Sequence, residues 1–157
     1  MPASVTPREV FEQLIGRIAA GKWGDIAELY AEDADVEVVF APVPPRRVHG
    51  RAELRERFVE LGGGDAIRLN AEDVHVHATD DPEVVIAEFV YQGLFPATGR
   101  SFRTANIQVL RVRDGLIVET RDYHDHLALA VAGGGADRLL AALDQDALNQ
   151  DASDQQG

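Results

Sequence analysis

The sequence predicts an α+β domain in which three N-terminal helices lie against one face of a curved, cone-shaped sheet, mixed or antiparallel, that wraps a pocket. Two observations predict it. Up to Gly62-Gly63-Gly64 the apolar residues recur mostly at helical spacing, with a single β-branched stretch between; afterwards residues 67–78, 83–95, 101–112 and 116–126 are long Val/Ile/Phe-rich runs parted by turn signals. Helices first and strands later is the order of a helical layer covering one sheet face. With 157 residues, 45% hydrophobic and 27% charged, the chain can close a core and is too apolar for a disordered acidic polymer.

Thr6-Pro7-Arg8-Glu9 opens the first helix, with Thr6 as N-cap, Pro7 at the first helical position, Glu9 completing a capping box and Val5/Val10 as a staple. Val10, Phe11, Leu14, Ile15 and Ile18 form one stripe that stops near Gly21. A shorter helix follows, with Asp25 as cap, Glu28 three residues on, and Trp23, Ile26, Leu29 and Tyr30 on its apolar side. Residues 35–40 read as the first strand, ended by Pro42-Val43-Pro44-Pro45. The third helix begins after Gly50, carries Leu54, Phe58 and Leu61 on one face and leaves through the three glycines. The four later runs are divided by Thr79-Asp80-Asp81-Pro82, Pro96-Ala97-Thr98-Gly99 and Arg113-Asp114-Gly115, which makes an antiparallel meander. With a short helix near 127–132 the domain spans 1–132. Gly133-Gly134-Gly135 then breaks the chain, 137–148 can form a small amphipathic helix, and the polar end from Asn149 to Gly157 is expected to be disordered.

Charge and composition exclude several function classes. Fifteen Lys+Arg against 27 Asp+Glu give a net charge of −12, which repels phosphate backbones, so no nucleic-acid partner is expected. The absence of cysteine rules out disulfides, thiolate metal sites and a Cys nucleophile. No stretch approaches the roughly 18 apolar residues of a membrane span and the N-terminus lacks a signal pattern, so a cytoplasmic, membrane-free protein is expected. The glycine run follows a helix instead of linking a strand to one, and Ser4, Ser101 and Ser153 have no nucleophile-elbow context. His75 and His77 alternate with valines as a solvated strand face would. Asp122, His124 and His126 spread over about 13 Å of strand, too far for one ion. No metal and no cofactor are expected.

The densest polar constellation is Arg121-Asp122-Tyr123-His124-Asp125-His126. Strand alternation puts Thr120, Asp122 and His124 on one face with Val118, and Arg121, Tyr123 and Asp125 on the other. A two-residue loop at Asp114-Gly115 would set Asp122 opposite Ile107; a three-residue loop over Arg113-Asp114-Gly115 would set it opposite Asn106. In the second register Thr104, Asn106, Gln108, Thr120, Asp122 and His124 form one polar face, either solvated or a pocket wall.

With those residues in view, the chain resembles the nuclear transport factor 2-like superfamily, and within it the SnoaL-like, polyketide cyclase-like branch. The resemblance covers roughly residues 7–132 and is carried by Leu29-Tyr30-Ala31-Glu32-Asp33-Ala34, His49-Gly50-Arg51, Pro96-Ala97-Thr98-Gly99-Arg100-Ser101, and Asp114-Gly115 followed by Arg121-Asp122-Tyr123. It implies a conical, cystatin-like α+β barrel with an apolar pocket, a homodimer packed through the outer sheet surface, and the three-residue turn that brings Asp122 inward. The fold hosts several reactions, so the reaction must be argued from the pocket.

Residue by residue, Leu14, Val38 and Gln108 stand where ketosteroid isomerases of this fold keep a tyrosine and two carboxyl groups, which disfavours steroid isomerisation. Val36, Val38, Tyr91, Phe89 and Asp122 match the limonene-type epoxide hydrolase set, and only the last is retained. SnoaL-type cyclases need one acid/base aspartate, and Asp122 is the position that matches. The resemblance therefore implies a cofactor-independent enzyme doing proton transfer, cyclisation or isomerisation, on a small apolar carbonyl compound. Asp122 would be the acid/base and His124 would assist; Asn106, Gln108 or His124 would hold an enolate oxygen beside Thr120. Tyr91, Phe89, Val38, Phe40, Leu14, Trp23 and Tyr30 would supply apolar walls. The alternative is a non-catalytic ligand-binding or accessory protein with the same pocket.

Overall fold

The computed structural model describes residues 4–154. Helix α1 (Pro7–Ala19) starts at the capping box the sequence encodes: the Glu9 amide donates to Thr6 Oγ1 (3.3 Å) and the Thr6 amide to Glu9 Oε2 (2.7 Å). Val10, Phe11, Leu14 and Ile18 are its buried stripe. The short second helix is a 3-10 segment, Trp23–Leu29, and Lys22, not Asp25, occupies its N-cap position without a side-chain cap. Strand β1 (Tyr30–Val38) begins five residues earlier than its β-branched composition indicates, and a three-residue strand β2 (Arg47–His49), too short for any periodic signal, pairs back onto it. Helix α2 (Arg51–Gly62) follows Gly50, whose φ of 89° suits glycine at this entry.

The four expected sheet runs are present as β3 (Arg68–Ala78), β4 (Val84–Phe95), β5 (Arg100–Arg113) and β6 (Leu116–Tyr123), followed by α3 (His126–Ala132). They form the meander within one six-stranded sheet of order β2-β1-β6-β5-β4-β3. The β1–β6 pair is parallel and the other neighbours antiparallel. Helix α4 (Ala136–Asp154) replaces the expected loose end over 149–154. Local side-chain bonds such as Gln145 Nε2 to Asn149 Oδ1 (3.5 Å) and Ser153 Oγ to the Asn149 carbonyl (2.9 Å) span one helical turn. Residues 155–157 and 1–3, which the expected tail and domain limits include, lie outside the described residues. Among the described residues no helix is long and apolar enough to cross a membrane.

Core packing joins α1, the 3-10 segment and α2 to the inner face of the sheet through Phe11, Leu14, Ile26, Leu29, Tyr30, Leu54, Val85, Ala87, Phe89, Leu110 and Ile117, all buried. Trp23 belongs to this packing: a Cβ on Gly62 would come within 1.9 Å of its indole, so the ring lies against the end of α2. Phe40 does not continue the inner wall of Val36 and Val38. A turn closed by the Ala41 amide on the Val38 carbonyl (3.1 Å) ends β1, and Phe40 stays 64% exposed, edge-on to Tyr123 at 5.5 Å.

Candidate active site

The site is built by the β5–β6 hairpin. Asp114 (φ 52°) and Gly115 (φ 78°) form a two-residue turn with Arg113 opposite Leu116, in place of the expected three-residue turn. Val112 then pairs with Ile117, but the next pair is Arg111 with Glu119, leaving Val118 as an extra residue. This β-bulge shifts the register by one, so Asp122 sits opposite Gln108, neither Ile107 nor Asn106. The inner face is thus Ile117, Thr120 and Asp122, and Val118 leaves the alternation that would have grouped it with them. The expected polar face exists, produced by a different device.

Across the sheet one inner row runs Val38, Asp122, Gln108, Ala87, Val76. The neighbouring pairs Asn106–Phe89 and Thr104–Tyr91 lie beside it. Thr104, Asn106, Gln108, Thr120 and Asp122 are all buried. Gln108 Nε2 donates to Asp122 Oδ1 at 2.8 Å. His124 Nε2 stands 3.9 Å from Asp122 Oδ2, and its Nδ1 is 2.8 Å from Asn106 Oδ1. Asn106 Nδ2 in turn donates to the Thr104 carbonyl at 2.8 Å. The side chains of His124 and Asp122 keep 22% and 13% of their surface exposed.

Burial pushes the Asp122 carboxyl above the ordinary aspartate range, against the opposing pull of His124, Gln108 and Thr120. Among the described residues the buried Thr120 hydroxyl has no hydrogen-bond partner that meets bonding geometry, though its dipole still favours the Asp122 carboxylate. Tyr30 and Tyr91 belong to the same neighbourhood: burial first, then the charge of Asp122, raises both phenols, which stay protonated. The sequence marks these tyrosines as apolar walls, whereas their buried phenols also feel the charge of Asp122. The Tyr30 carbonyl is anchored by Arg51 Nε at 2.7 Å, and Tyr30 stacks at a tilt on Phe58. His126, whose ring lies 6.0 Å from that of His124, is pushed down by burial and has a buried Nε2 without a partner among the described residues.

Leu14 and Phe89 are core residues near this row; Phe89 touches Tyr91 (4.9 Å) and Phe11 (5.4 Å). A hollow of about 500 Å³ nearby is lined by Phe40, Glu88, Val90, Ala105, Ile107 and Tyr123 among others. The register puts these sheet residues on the outer face, so this trough and Asp122 lie on opposite sides of the sheet. Asn106 and His124 border it. His75 and His77 are exposed on β3, and His77 Nε2 meets Glu88 Oε2 at 2.6 Å.

A curved mixed sheet with helices on its inner face is the nuclear transport factor 2-like cone fold. The chain belongs to the SnoaL-like domain family, whose profile matches residues 11–120. It is 34% identical over 111 residues to YesE of Bacillus subtilis (strain 168), an uncharacterized protein, covering 69% of this chain and 74% of that one. A solved Bacillus subtilis structure, provisionally named an isomerase, is 30% identical and superposes with a TM-score of 0.74 over 82% of this chain and 92% of its own. A Xanthomonas campestris pv. campestris structure provisionally named a polyketide cyclase shares the fold at 21% identity, TM-score 0.67, covering 80% and 95% of the two chains.

Proposed function

We propose that this SnoaL-like protein is a cofactor-independent enzyme that moves a proton on a small, largely apolar carbonyl compound, with Asp122 as the acid/base. The observation that supports it is the setting of that carboxylate. It is an inward aspartate, held through one oxygen by Gln108, with its other oxygen towards His124 and its proton affinity raised by burial. A carboxylate lifted in this way is a better base near neutral pH than an exposed one. The reaction begins with transfer of an α-proton from carbon to Asp122 Oδ2; return of that proton to a different carbon completes isomerisation, and attack of the enolate on a second carbonyl, whose alkoxide then takes the proton from Asp122, completes cyclisation.

The test is loss of α-protons from a small apolar ketone in D2O, followed by proton NMR. Asp122→Asn keeps the Gln108 bond and should lower the exchange rate by about 10²–10⁴-fold while the fold is retained. Exchange at the wild-type rate in the folded variant would refute the role of Asp122. The rival, a binding protein of the same fold, draws support from the placement of the 500 Å³ trough on the other face. It predicts ketone binding with no exchange above the buffer rate. A second copy seated on that trough, over the exposed Phe40 and Ile107, would make a homodimer, and sedimentation should then give twice the chain mass.

A further inference from the structure

Gln108, Asn106 and His124 share the inner face, and the chemistry of their protons separates them. Gln108 gives one of its two amide hydrogens to Asp122 Oδ1. Asn106 directs its amide nitrogen to the Thr104 carbonyl at 2.8 Å, with Thr104 Oγ1 at 3.5 Å. An amide donates a hydrogen bond without surrendering its proton, so of the three only the imidazole of His124 can give a proton up and take it back, and its protonation pattern follows from elementary donor and acceptor chemistry. A carbonyl only accepts, so the Asn106 atom facing Thr104 is the nitrogen; the atom facing His124 is then the oxygen, which also only accepts. The Nδ1 of His124, 2.8 Å away, must therefore carry a proton whether the ring is neutral or charged. Nε2 is left as the atom that gains and loses one, and it points towards Asp122 Oδ2 at 3.9 Å.

We propose that His124, through Nε2, is the second proton-handling group of the site, and that Asn106 is the positioning residue that makes it so by fixing the proton on Nδ1. This rests on the proton-transfer reading of Asp122 and narrows its substrate to enolisable carbonyl compounds that undergo a 1,3-proton shift. At 3.9 Å the two reactive atoms are too far apart to bond directly. They can instead address two atoms of one substrate. The carboxylate oxygen takes the proton from the α-carbon, and the C–H pair becomes the new C=C bond. The carbonyl π pair moves to oxygen, and that oxygen takes the proton from Nε2. Aspartate, imidazolium and ketone thus become aspartic acid, neutral imidazole and enol, with charge and protons conserved. Running the step backwards with delivery to another carbon regenerates both groups.

Ring-nitrogen NMR of the ¹⁵N-labelled protein tests the assignment without turnover, the His124 signals being those lost in His124→Gln. At a pH where the ring is neutral, wild-type His124 should show a protonated Nδ1 and a bare Nε2. The opposite tautomer would overturn the proposal. In Asn106→Leu the tautomer should move towards the Nε2-protonated form and ketone exchange should slow, by up to about 100-fold. Asn106→Asp, which keeps an acceptor for Nδ1, should retain the wild-type tautomer, so an unfolded Leu variant does not remove the test. An Asn106→Leu protein that folds, keeps the wild-type tautomer and exchanges normally also overturns it. The expected tautomer together with unimpaired exchange in Asp122→Asn would instead sink the acid/base reading and leave Asn106 with a structural effect alone.

Discussion

Asp81 in the β3–β4 turn and Asp122 on β6 are the same chemical group, and the fold moves their acidities in opposite directions. Asp81 is 45% exposed, bonded to Arg111 Nη1 at 2.7 Å and to the Glu83 amide at 3.0 Å, and its carboxyl is held below the ordinary range. Asp122 is 13% exposed, has one neutral amide donor and an imidazole at 3.9 Å, and is held above it. The outer face of the sheet surrounds its acids with guanidinium groups: Arg111 also reaches Glu83 and Glu119, and Arg113 pairs with Glu83. The inner face supplies amides, hydroxyls and phenols. The difference teaches that local compensation, not residue type, decides whether a carboxylate is a solvated surface group or a base under tension.

The largest expected change comes from opening the aromatic cluster beside the Asp122 row. Phe89 is buried between Phe11 and Tyr91 and pairs with Asn106. Phe89→Ala should cost about 3–5 kcal/mol by chemical denaturation and, by admitting water, lower the Asp122 pKa seen by carboxyl ¹³C NMR. A pKa that stays put would mean that burial by this cluster is not the cause. Smaller is the effect of Asp122→Asn on stability. Because the folded carboxyl binds its proton more tightly than the unfolded one, the wild type is favoured at low pH. It loses stability as pH rises from near 3.8 to the raised folded value, then levels off. The Asn variant should lack that fall and melt a few degrees higher at neutral pH, at roughly 3 °C per kcal/mol for a chain of this size. A lower melting temperature across the whole pH range would contradict it. Smallest is Arg111→Ala on the outer face. Asp81 should drift up towards its ordinary acidity while Tm moves by about 2 °C at most, and added salt should shrink both changes.

Most of the fold was legible along the chain because its elements carry local signals. The capping box at Thr6, the turn residues between the β-branched runs and the glycines after α2 each act within a few residues, and β3 to β6 formed where composition put them. The misses share a cause. Strand β2 exists by pairing with the later half of β1, and the early start of β1 by the pairing of Tyr30 with Ile117 of β6. Phe40 left the inner wall because a backbone turn at Val38–Ala41 swung it out. The site was half legible: the Asp122 cluster stood out as a dense polar run, but Tyr30 and Tyr91 carry no sequence mark that separates an ordinary packed ring from one whose phenol feels a buried carboxylate.

By itself the sequence determined which residues are chemically equipped for the site, and that a polar set on β5 and another on β6 recur at period two. Only the tertiary structure decided that the two sets meet. The turn at Asp114-Gly115, left alone, would carry Asp122 to the outer face opposite Ile107, and the extra residue at Val118 reverses that and sets it against Gln108. The physical reason is the two-residue repeat of a strand: one inserted residue exchanges its faces, and whether a bulge forms depends on how β6 pairs with β1 and β5 at once, which no local run of residues encodes.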